Sequence, residues 1–110
     1  MALALNVFKT ITAVVSTSPS VVYTAPVGYS SVILLSQVTN TSSNSYDVTL
    51  IHRRSSTDTE VLKEYPISGN DTANLLSGKL VLESGDRLVL FGNNSSDDLK
   101  FISSILETLN

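Results

Sequence analysis

Apolar residues recur at every second position in short pieces, and this spacing limits the possible folds more than any other feature of the chain. From Leu3 to Val15 the odd positions carry Leu3, Leu5, Val7, Lys9, Ile11, Ala13 and Val15. The even ones carry Ala4, Asn6, Phe8, Thr10, Thr12 and Val14. Successive side chains of a strand point to opposite faces. The odd set is therefore expected to face a core, with Lys9 as the exception, in two strands or one bent strand. No 3.6-residue stripe of useful length is present. The alternation is broken every eight to twelve residues or so by Gly, Pro, Asn and Ser, the pattern of a sandwich or barrel.

Strands are expected at Val21–Thr24, Ser31–Val38, Asp47–Arg53, Glu60–Tyr65, Leu80–Leu82, Leu88–Phe91 and Leu99–Leu106. Turns are expected at Ser16–Ser20, at Ala25-Pro26-Val27-Gly28, at "NTSSNS", at Ser55–Thr59 and at "GNNSSDD", with a loop over Pro66–Asn74. A helical end over Ile105–Leu109 is the weaker reading, because its β-branched neighbours disfavour helix. The expected fold is all-β, a single antiparallel β-sandwich domain over residues 1–110 with about eight short strands, jelly-roll or immunoglobulin-like. A chain of 110 residues suits one domain, and no internal repeat or linker divides it.

Composition narrows the function. Only 15% of residues are charged, against about a quarter in an average soluble domain. Net charge is -3 and Arg53-Arg54 is the only adjacent basic pair, so no nucleic-acid partner is expected. Apolar runs such as Ser31–Leu35 are far below a membrane span, and "MALALNVFKT" lacks the basic start and long apolar stretch of a signal peptide. There is no cysteine, which removes disulfides and thiolate chemistry.

Candidates for chemistry are few. His52 is the only histidine, "GxSxG" is absent, and His52 shares a strand face with Val48 and Leu50. A partly buried, hydrogen-bonded histidine at a strand end is the expected reading. Glu83 and Asp86 in "ESGDR" are close in sequence and offer the two carboxylates of a glycosidase pair. A tight turn explains them better: Gly85 takes positive φ and Asp86 caps the turn through its side chain. "NNSSDD" lacks the interleaved order and bending glycine of a calcium loop. The sequons "NTS", "NDT" and "NSS" arise readily by chance in a Ser/Asn-rich chain. No catalytic residue, cofactor or metal is expected, and the chain is read as a non-enzyme.

Several apolar residues fall on faces expected to be solvated. Val32-Ile33-Leu34-Leu35 does not alternate, Phe8 stands among polar even positions, and Ile51 lies between Thr49 and Arg53. In the last strand Leu99, Phe101 and Ile105 share one face while Ile102 and Leu106 share the other. Phe8, Ile51, Ile102 and Leu106 are thus candidate interface residues for self-association or docking.

The segments "MALALNVFKTIT", "VYTAPVGYSSVILLSQVTN", "HRRSSTDTEVLKEYPISGNDTANLLSGKLVLESGDRLVLFG" and "LKFISSILETLN" cover nearly the whole chain. In that order they resemble the small virion structural proteins of tailed bacteriophages, of the contractile-tailed type that infects cyanobacteria. The resemblance implies a β-sandwich subunit built into the virion, with no catalytic activity. A capsid decoration or cement subunit is the leading expectation, forming a homo-oligomer and binding other virion proteins such as the major capsid protein. A neck, tail or baseplate component is the alternative. A glycan-binding host-attachment module is the rival from another class, and the absence of Trp counts against it.

Overall fold

The computed structural model describes residues 5–110. Leu3 and Ala4, counted above in the first alternating run, lie outside the described residues. The strands are β1 (Asn6–Val14), β2 (Ser20–Thr24), β3 (Tyr29–Asn40), β4 (Tyr46–Arg54), β5 (Thr57–Ile67), β6 (Thr72–Asn74), β7 (Leu80–Leu82), β8 (Arg87–Gly92) and β9 (Leu99–Leu109). All pairings are antiparallel.

One sheet runs β1-β9-β3, and the far side of β3 is shared by β7 at Ser31–Ile33 and β6 at Gln37–Thr39. The other runs β2-β8-β4-β5. The chain changes sheet at every connection except β4–β5 and β6–β7. That order, with β6 and β7 filling one strand position, is the jelly roll rather than the immunoglobulin connectivity.

The odd positions of β1 do face inward as one unbroken strand, opposite β9 in continuous register from Asn6↔Thr108 to Val14↔Lys100. The interior is closed by Ile33, Val38, Val48, Leu50, Leu88, Leu90, Phe101 and Ile105, all essentially inaccessible. Both sheets contribute, so neither could bury its apolar face alone.

Two expectations need correction. The segment taken as a loop over Pro66–Asn74 contains β6, and β5 runs through Pro66 to Ile67. Proline is tolerated there because β5 is an edge strand. Ile105–Leu109 continues β9, in keeping with the β-branched neighbours that disfavour helix there. The bend Glu83–Asp86 joins no hairpin: β7 pairs with β3, while β8 pairs with β2 and β4. The bend carries the chain from one sheet to the other.

The second correction concerns Ile51. It points outward from the second sheet, as its place between Thr49 and Arg53 implies, yet it is only 8% exposed. Its row across the sheet reads Val21, Val89, Ile51, Glu60, and Val89 beside it is wholly buried. A central strand flanked by large side chains loses its solvent on both faces.

Candidate interaction face

The outer face of the first sheet gathers what the second sheet's outer face does not. Register places Phe8, Leu106, Val32 and Val81 in one row across all four strand positions. Phe8 is 74% and Val81 55% exposed, and Leu106 and Val32 are half-buried between them. The next rows add Leu35 beside Ser104, and Ile102 between Thr12 and Gln37. A bulge between Ile33 and Leu35 inserts Leu34 and turns a second leucine toward solvent. This bulge is why Val32–Leu35 does not alternate.

Three shallow depressions lie on the same face. One of about 430 Å³ is lined by Thr12, Val14, Thr39, Lys100 and Ile102. Another, of about 300 Å³, lies by Phe8, Thr10, Leu34 and Ser104. The third, of about 240 Å³, is bounded by Leu34, Leu35, Asn74, Leu76 and Lys79.

Charge separates the two faces. Among the described residues the strands of the first sheet place one charged side chain outward, Lys100, and Lys79 stands at the rim in the β6–β7 loop. They place no carboxylate there. The second sheet's outer face carries Arg53, Arg87, Asp58 and Glu60 by register. Arg53 holds Asp58 in a two-pronged pair at 2.6 and 2.9 Å. Of the sequence candidates, Phe8, Ile102 and Leu106 therefore come together on one surface, and Ile51 is on the opposite side of the molecule.

The residues that suggested chemistry are committed to the frame. Gly85 has φ of 85°, and the Asp86 amide donates to the Glu83 carbonyl at 2.9 Å to close the turn. Asp86 is 2% exposed. Its carboxylate accepts from the Glu83 amide at 2.9 Å, from His52 Nε2 at 3.0 Å, and from Arg54 Nε and Nη2 at 2.9 and 2.8 Å. The Arg54 guanidinium, with lesser help from His52 and the Glu83 amide, holds this carboxyl well below the usual carboxylate range against the opposing effect of burial. His52 is thus a partly buried histidine bonded to the turn that links the sheets.

Sequence reasoning missed a second polar group, between the sheets. Glu107 on β9 is almost fully buried. It accepts from Tyr23 Oη at 2.5 Å and pairs with Lys9 Nζ at 3.1 Å, and Tyr23 Oη also meets Ser31 Oγ at 2.7 Å. Burial first, and the Glu107 carboxylate second, push the Tyr23 hydroxyl well above its ordinary pKa. Lys9 keeps its inward parity because Glu107 lies diagonally across from it in the register. An acid and a base on inward parity in the first and last strands were the available signal.

Of the three sequon asparagines Asn70 is exposed and the other two are committed to the frame. Asn40 is buried and donates to the Asn44 and Ile67 carbonyls, and Asn94 is buried and accepts from the Ser96 and Asp98 amides. Both organise loops. Among the described residues, no group of three or more His, Asp or Glu side chains is arranged to hold a metal ion.

No family model, no curated protein and no solved structure matches the chain.

Proposed function

We propose that this protein is a non-enzymatic virion subunit that decorates or cements a capsid by laying the outer face of its first sheet on a neighbouring structural protein. The observation that carries the reading is the Phe8–Leu106–Val32–Val81 row, an apolar stripe crossing a whole sheet on a face without carboxylates. A monomer that worked alone would have no use for such a stripe, and contiguous apolar surface of this kind marks contact sites. Lys79 and Lys100 at its margins favour a partner whose apolar patch is edged by acidic residues. The resemblance of the sequence to small virion proteins supports the same reading, and jelly rolls recur in capsid subunits, although fold alone never fixes function.

The test is to add purified protein to particles of a contractile-tailed cyanobacterial phage and pellet them through a sucrose cushion. The reading expects saturable co-pelleting that is lost in Val81→Asp while the melting temperature of the variant is kept. Failure of the wild type to bind particles or any of their purified shell, neck or tail proteins would overturn it.

A further inference from the structure

A β-sandwich of two open sheets has four edges, and three of these are protected. β2 is five residues long and bulged between Val21 and Tyr23. β5 is bulged twice, carries Asp58, Glu60, Lys63 and Glu64, and contains Pro66. The fourth position beside β3 is split into two three-residue pieces. Bulges, charges, proline and shortness are the ordinary means of keeping an edge from pairing with another chain. The free edge of β1 has none of them: nine residues in unbroken register, with Lys9 as its sole charge. That charge is turned inward and neutralised by Glu107.

The bonding phase of this edge follows from its two ends. The Leu109 amide donates to the Leu5 carbonyl at 2.8 Å, and the Val15 amide to the Leu99 carbonyl at 2.9 Å. Odd-numbered residues of β1 therefore face β9 with their amides and carbonyls, since bonded and non-bonded pairs alternate along an antiparallel ladder. Asn6, Phe8, Thr10, Thr12 and Val14 direct theirs to the free edge.

We infer that the β1 edge pairs with β1 of a second copy, antiparallel across a twofold axis through Thr10. This register is the one that uses all five bonding residues of each strand. Thr10 meets Thr10 of the partner subunit, Phe8 meets Thr12 of the partner subunit, and Asn6 meets Val14 of the partner subunit. Lys9 falls opposite Ile11 of the partner subunit, and the two Lys9 side chains, diagonal across the axis, are each neutralised by Glu107 of their own chain. Shape is compatible too. Phe8, which protrudes, is set beside the partner's Thr12, and Thr12 lines the 430 Å³ depression together with Val14 and Ile102. Each Phe8 brings roughly 150 Å² of apolar surface. Two such anchors and one ladder fall below the ~1,200 Å² of a standard interface, so the dimer is a weak, reversible one with a Kd on the order of 100 µM. Many copies held side by side on one surface would form it readily.

This pairing shares Phe8 with the proposed docking row, so it is tested on the free protein, without particles. The chain has no cysteine, so single Cys variants report the register directly. Bonded antiparallel neighbours have Cα atoms about 5.5 Å apart, within disulfide range. Thr10→Cys is expected to give a disulfide-linked dimer under a mild oxidant, at least tenfold faster than Thr12→Cys at equal concentration. Thr10→Pro removes an amide that makes no bond within the chain. It should keep the melting transition and abolish the concentration-dependent rise in sedimentation coefficient of the free protein. Equal cross-linking at the two positions, or a wild type that stays monomeric up to about 1 mM, would overturn the pairing.

Discussion

Replacing Asp86 by asparagine should destabilise the protein by about 3 kcal/mol at neutral pH, and the loss should fade in acid. Hydrogen bonds to a charged group are each worth about 1.5–3 kcal/mol net. Two of the four that Asp86 accepts come from Arg54, which is half-exposed and recovers water when released. The Glu83 amide and His52 are left facing an amide group in a site 2% exposed. These two account for the sum, at the lower end of the range for breaking a buried pair. The carboxyl is held below its unfolded value, so its contribution is complete above about pH 4 and is lost as pH falls through the depressed range. The wild type should surrender about 1.4 kcal/mol per pH unit below that point, a slope the variant lacks. Urea unfolding of both proteins at pH ~7 and ~2.5 reads the gap, which should narrow by about 2 kcal/mol. A gap below 1 kcal/mol at neutral pH, or one unchanged by acid, would refute the assignment of Asp86 as the clamp of the inter-sheet bend.

Gly85→Val forces positive φ on a β-branched residue and should cost about 1–3 kcal/mol, seen as a lower melting temperature; no change would disprove the turn. Tyr23→Phe deprives the buried Glu107 of a donor and should cost about 2 kcal/mol in denaturant titration, with a loss under 0.5 kcal/mol telling against the inter-sheet network. Phe8→Asp should leave the unfolding midpoint within a few degrees of wild type and weaken particle binding. Collapse of the monomer would mean that Phe8 belongs to the core.

What could be read in advance was whatever depends on local parity. The inward odd positions of β1, the two faces of β9 and the capped turn at Gly85 follow from residues two or three apart. What could not be read in advance depends on partners far along the chain. Nothing in Glu83–Asp86 says that the strand before it joins β3 while the strand after it joins β4. Thr72–Asn74 is too short to show alternation and is a strand only because Gln37–Thr39 lies beside it. Ile51 has a polar neighbour on either side, and its burial comes from Val89 across the sheet. Of the four interface candidates, the three that proved to share a surface belong to β1 and β9, which lie side by side.

The placement of β9 has a temporal consequence. It occupies the slot between β1 and β3, so the strand made last of the nine fits between the first and the third. Until it emerges, β1 has no sheet to join, and the growing polypeptide must wait with two ladders unmade. Such distant closure is slow, which leaves these oily ribbons open to chaperones, or to each other, for as long as synthesis lasts.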